Sequence, residues 1–261
     1  MKARIRPLKD RIQDQVDIFY EKYDFTKTDK IEFKIVDDIY EARLQLLKNS
    51  PKEVQVTKQN ENKLRNFNGH VAWGYKPNDT ITVLFNKQKM DEDPFTWRGT
   101  VHHEYIHAHD YLELFPALGI AKNDEIYDNY MYYDDYNFWT EFHARTFGGL
   151  NVFSHEYKSK SPKELLNICN ATFKQNCEIL VEETAKYNRY GIAQCLGRQL
   201  ALEKFFGSIT PALKTACDEF GVLEEVVNLY DYLVLHPSFN EVDFAYLKNL
   251  LDCIESKTKL R

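Results

Sequence analysis

The segment Thr100-Val101-His102-His103-Glu104-Tyr105-Ile106-His107 contains His-Glu-x-x-His, and no other stretch constrains the fold of this chain as strongly. Imidazoles four residues apart come together on an α-helix, where they stand roughly 6 Å apart along the axis on one face. At that spacing both rings can close on a single Zn²⁺, with N–Zn distances near ~2 Å. Glu104 sits about 100° further round the helix, where its carboxylate reaches a water on the metal and not the metal itself. The flanks agree with a helix. Asp93 reads as N-cap and Pro94 as the first helical position; Val101, Tyr105, Ile106 and Leu112 face inward; Pro116 and then Gly119 form the stop.

At 261 residues the chain is long enough for one large domain or two small lobes. With 43% hydrophobic and 28% charged residues it has the composition of a soluble globular protein, and no apolar run approaches the ~18 residues of a membrane span. The basic N-terminus (Lys2, Arg4, Arg6) lacks the apolar segment of a signal peptide. Five cysteines (Cys169, Cys177, Cys195, Cys217, Cys253), mostly at apolar positions of helical patterns, read as buried free thiols of a reducing compartment. The expected address is cytoplasmic. A net charge of −6 argues against nucleic acid as the main partner, and Arg4, Arg6, Lys9 and Arg11 read as a solvated helix end.

Periodicity predicts a helix over Leu8 to Tyr23, a strand over Ile31 to Ile35, and a helix from Asp37 or Asp38 to Leu47. Glu53 to Thr57 reads as a short strand. Asn68 to Tyr75 and Thr80 to Phe85 read as a hairpin joined through Lys76-Pro77-Asn78-Asp79. The acidic, tyrosine-rich stretch Asp124 to Tyr136 reads as an ordered connection. A helix follows from about Asp135 past Arg145, with Gly148-Gly149 as its bend or end. Beyond the Ser161-Pro162-Lys163-Glu164 capping box, helices are expected over Pro162–Tyr187, Ile192–Phe206, Pro211–Phe220, Leu223–Leu235 and Glu241–Ser256. The fold class is α+β: a mixed lobe with the motif helix over residues 1–120, then a helical lobe over 121–261 that supplies a third metal ligand.

A catalytic zinc commonly takes three protein ligands and one water. Glu141, in Trp139-Thr140-Glu141-Phe142-His143-Ala144-Arg145, is the first choice for the third. A loop and a return helix fit between it and His107, small Ala144 permits close helix approach, and Arg145 stands one turn on to hold a carboxylate. Asp110, His143, Asp134 and Asp135 are the alternatives. Asp110 is better placed to orient an imidazole N–H, and Asp134 and Asp135 read equally well as helix caps. His102 and His109 point away from the His103–His107 face.

His103-Glu104-x-x-His107 with a downstream Glu141 resembles the zincin metallopeptidases, in the branch whose third ligand is a glutamate. The Glu141-x-x-Ala144 pattern is also similar to compact intracellular peptidases of phage and mobile-element type. The resemblance covers about Phe67 to Gly149. It departs at Arg145, where better-known members carry an acidic residue. It implies a small twisted sheet and a backing helix ahead of the motif helix, with an edge strand, Gly69 to Tyr75, that pairs with extended peptide. It also implies zinc-dependent hydrolysis of peptide bonds in a protein or peptide substrate, with Glu104 as general base and a further donor for the oxyanion. Tyr133, Tyr136 and His155 are candidates for that donor. Two other readings stand beside this one: a zinc-stabilised regulatory or interaction protein without turnover, and an amidase acting on a non-protein substrate.

Overall fold

Ile12, Val16 and Phe19 recur at helical spacing and form the buried stripe of α1 (Leu8–Lys22). The computed structural model describes residues 6–259 apart from residue 94; Arg4 of the basic stretch and Pro94 of the expected helix start lie outside the described residues. The chain divides into two compact units, one ending at Tyr130 and the other beginning at Met131.

In the first unit, Ile31–Val36 forms β1 and Ile39–Leu46 forms α2, whose cap Asp38 accepts the Glu41 N–H at 3.2 Å. The expected hairpin is present as β2 (Gly69–Ala72) and β3 (Ile81–Asn86). The sheet order is β1-β3-β2, with β1 parallel to β3 (Ile31 opposite Ile81) and β2 antiparallel to it (Gly69 opposite Phe85). β3 is central and buried at every position, which is why Ile81 to Phe85 reads as an almost continuous apolar run and not as an alternation. On one face Ala72 and Leu84 join Ile39 and Tyr40 of α2. The opposite face of β2 meets α6 (Trp97–Leu118) at Gly69, and just past the strand the Trp73 ring lies 4.4 Å from that of Tyr111 and 5.6 Å from that of Phe115. The chain is therefore α+β, a small mixed sheet within a mostly helical protein.

In the first unit three local expectations change. Glu53 to Thr57 is not a strand but lies within α3 (Pro51–Gln59), because Ser50-Pro51 starts a helix and Glu53 and Thr57, one turn apart, both bury against Arg43. The motif helix begins at Trp97 rather than after Asp93. The Asp93 carboxylate is engaged by the N–H groups of Phe95 and Thr96, at 3.1 and 2.7 Å, and makes a turn ahead of the helix. Its end runs through Pro116 to Leu118 and stops at Gly119, whose φ of 62° is left-handed. Two short helices, α4 (Glu61–Leu64) and α5 (Lys87–Glu92), add to the expected set. After α6 the acidic connection folds as a 3₁₀ turn (Asn123–Glu125) and α7 (Ile126–Asn129). Buried Asn123 clamps the hairpin loop, donating to the Gly74 and Lys76 carbonyls at 2.8 and 3.0 Å.

The second unit holds α8 (Tyr133–Glu156), α9 (Pro162–Ala185), α10 (Arg189–Phe206), α11 (Ala216–Phe220), α12 (Glu224–Leu235) and α13 (Phe244–Thr258). The capping box of Ser161 and Glu164 opens α9 as expected. The Pro211–Phe220 helix shrinks to a 3₁₀ turn followed by α11. Gly148-Gly149 does not end α8, which runs on to Glu156. A Cβ on Gly149 would stand 3.0 Å from that of Ala201, and one on Gly197 would stand 2.5 Å from the Phe142 carbonyl, so these glycines let α8 and α10 press together. Cys169, Cys177 and Cys195 are buried, whereas Cys253 is exposed, contrary to its expected burial; all five are free thiols. Among the described residues no helix is long and apolar enough to cross a membrane.

Candidate metal centre

His103 and His107 stand one turn apart on α6, both half-buried, with their Nε2 atoms 3.1 Å apart and their rings at 84°. Two imidazole nitrogens that close require an electrophile between them, either a proton on one or an ion shared by both. Ligand nitrogens of a tetrahedral zinc at Zn–N near 2.05 Å are separated by about 3.3 Å, so this pair already has the spacing of ligands. Among the described residues, His103, His107 and Glu141 form a group able to hold a metal ion, one ligand atom from each lying within 4.8 Å of the others. Two imidazoles and one carboxylate suit a borderline ion such as Zn²⁺ and leave a coordination position open to water, so the residues present fit that metal.

Glu104 is 7% exposed and lies against β2. A Cβ built on Gly69 would stand 2.7 Å from Glu104 Cγ and 3.1 Å from its Oε1. Only a residue without a side chain leaves the carboxylate its place on that strand. Glu141 is also buried, and its Oε1 accepts a hydrogen bond from Gln194 Nε2 on α10. Arg145, expected to hold a carboxylate, acts on Glu141 through its charge. Burial first, and Arg198 second, bring its guanidinium down to about 10.

The remaining candidates are placed elsewhere. His102 is fully buried on the α1 side: its Nε2–H donates to the Gln15 carbonyl at 3.2 Å and its ring meets Phe19 edge-on. His109 stacks on Phe19 and bonds to the Tyr20 hydroxyl at 3.0 Å. Burial depresses both imidazoles, to about 3 and about 4. Asp110 is buried on α6, where its charge partly offsets the depression of His109. Asp135 pairs with Arg189, Asp134 is exposed in the first turn of α8, and His143 stacks on Trp139 at 5.2 Å.

Of the candidate oxyanion donors, Tyr136 is fully buried among Trp139, Phe239 and Phe244, as a core ring. Tyr133 is half-buried at the first residue of α8. His155 was expected beyond a helix break, but α8 is continuous. At 1.5 Å per residue the helix carries His155 about 21 Å past Glu141, which removes it from the set.

Sequence reasoning missed Gly69, Gln194 and His70. On β2, His70 Nε2 lies 2.6 Å from Arg43 Nη1, and burial, then the charges of Arg43 and His107, hold its imidazole well below the ordinary range. Only the position of Gly69, first in a strand and in a chain with few glycines, carried a signal. Comparison with protein-family models, with characterised proteins and with solved structures returns no match for this chain.

Proposed function

We propose that this chain is a zinc-dependent metallopeptidase of the His-Glu-x-x-His type, hydrolysing peptide bonds in a protein or peptide substrate. The observation that carries this reading is the convergence of His103, His107 and Glu141 ligand atoms, with the acid of the motif, Glu104, on the same helix. A Zn²⁺ held there would supply Lewis acidity, lowering the pKa of a water toward ~7 and polarising the scissile carbonyl.

The chain's own residues do the rest. Glu104, fixed against Gly69, takes the proton of the attacking water and delivers it to the leaving amine. Gln194 engages Glu141 Oε1 and so orients the ligand carboxylate. Tyr133 is the remaining phenol for the oxyanion. The mixed sheet and α1, which precede α6 in the chain, support the reading of a zincin-like lobe to which Glu141 adds the third ligand.

Extended substrate would pair with β2, but over a shorter edge than Gly69 to Tyr75. Asn86 N–H donates to the Asn68 carbonyl at 2.9 Å, so by alternation of the register Gly69 and Val71 turn their N–H and C=O groups away from β3. Arg43 Nη1 occupies the Val71 carbonyl at 3.0 Å, and Asn123 occupies those of Gly74 and Tyr75. The open edge is Gly69 and the Val71 N–H.

Metal analysis and turnover of a peptide library by the purified chain test the proposal. We expect about one zinc per chain. Glu104→Gln should retain it while kcat falls about 10²–10⁴-fold, and His103→Ala should lose the metal. A chain that takes up no divalent ion, or a Glu104→Gln variant as active as the parent, overturns the reading.

A further inference from the structure

His70 is the one imidazole on the sheet, and its surroundings dictate its protonation. Arg43 has only donors to offer, so a 2.6 Å contact between its Nη1 and His70 Nε2 requires a lone pair on that nitrogen. The ring must then be neutral with its proton on Nδ1. Arg43 has no freedom to turn away. It is 3% exposed, and it also donates to Glu53 Oε2 at 2.5 Å, to Thr57 Oγ1 at 3.0 Å and to the Val71 carbonyl. Among the described residues His70 Nδ1 has no partner, and the ring is partly exposed.

The position of this N–H matters because of what surrounds it. Gly69, the preceding residue, touches Glu104, and His107 lies close enough to act on the His70 ring by charge. His70 thus stands on the strand whose open edge ends at Val71, where Arg43 has taken the next acceptor. A peptide lying along Gly69 runs out of main-chain partners at that point.

We propose that His70, locked by Arg43 as the Nδ1–H tautomer, donates a hydrogen bond from Nδ1 to a carbonyl oxygen of extended substrate bound along the open edge of β2. This inference rests on the hydrolytic reading above. It assigns His70 to substrate recognition and leaves the metal to its three ligands.

Two measurements test it on the full chain. Nitrogen-15 NMR of the metal-free protein should show the His70 proton on Nδ1 at neutral pH; an Nε2–H tautomer or an imidazolium would overturn the proposal whatever the enzyme does. The second compares two ligands of the zinc-loaded protein: acetohydroxamate, which reaches only the metal, and an acyl-dipeptidyl hydroxamate, which also lies along the strand. His70→Ala should weaken the peptidyl compound about 10-fold, the value of one hydrogen bond of ~1.4 kcal/mol, and leave acetohydroxamate unchanged. His70→Gln, whose amide accepts from Arg43 and still donates outward, should restore most of the loss. Equal weakening of both ligands, or of neither, overturns the assignment with the hydrolytic reading intact. Failure of the parent protein to bind either ligand removes that reading and the assignment together.

Discussion

Arg43 and Glu53 place a full ion pair where residues of either type are almost never found unless paired, with side-chain exposures of 4% and 1%. The pair persists because every polar atom has work: Tyr127 donates to Glu53 Oε1 at 2.7 Å, and the guanidinium serves Thr57, His70 and the Val71 carbonyl. Removing one partner strands the other charge away from water. Glu53→Ala should therefore destabilise the protein by about 3–5 kcal/mol, read from urea unfolding of the metal-free chain; a loss under ~1 kcal/mol would show that Arg43 finds water or a new acceptor. At this scale the motif was legible because His103, Glu104 and His107 are local in sequence, and a helix brings them together by its own period. Gln194, His70 and Arg43 were not legible. Each meets its partner across a wide gap in the chain, and a lone glutamine, histidine or arginine carries no periodic mark of such a meeting.

Between elements, α1 and α6 are joined through buried histidines, and this gives the first unit a definite acid response. His102 and His109 lie against Phe19, and burial lowers their pKa values to about 3 and about 4, against ~6.5 in the unfolded chain. Between pH 6.5 and about 4 the unfolded state therefore holds protons on both that the native state does not, so stability falls as pH falls. Each imidazole contributes a slope of up to about 1.4 kcal/mol per pH unit in that window. Urea midpoints from pH 7 to about pH 5.5, above the range where most carboxylates titrate, should drop steadily, and His109→Phe should flatten the drop. An unchanged slope in that variant would mean that the ring is already protonated in the folded protein. The same level of organisation explains which elements sequence patterns mistook. Helix-breaking glycine at 148 and 149 misled because α10 packs there, and β-branched Val54, Val56 and Thr57 suggested a strand that Pro51 and the burial of Glu53 turn into helix.

For the molecule as a whole, the question is whether the proposed ion builds the fold or only occupies it. Each unit has apolar packing of its own. Ile39, Leu64, Ala72 and Leu84 cluster in the first, and Phe153, Cys169, Leu202 and Phe206 in the second, so neither depends on a metal for a core. Small metal-dependent domains, by contrast, unfold when the ion is removed. An ion that binds only the native state adds RT ln(1 + [L]/Kd), about 4 kcal/mol at a free concentration 1,000 times Kd. At about 2–4 °C per kcal/mol for a chain near this size, zinc should raise Tm by roughly 10 °C. Chelation should reverse that rise while the helical circular dichroism at 25 °C stays in place, and His103→Ala should remove the rise altogether. Collapse of the helical signal on chelation would make the ion structural and take away the ground for an open, catalytic coordination position. A stabilisation that survives in His103→Ala would place the bound ion on other residues.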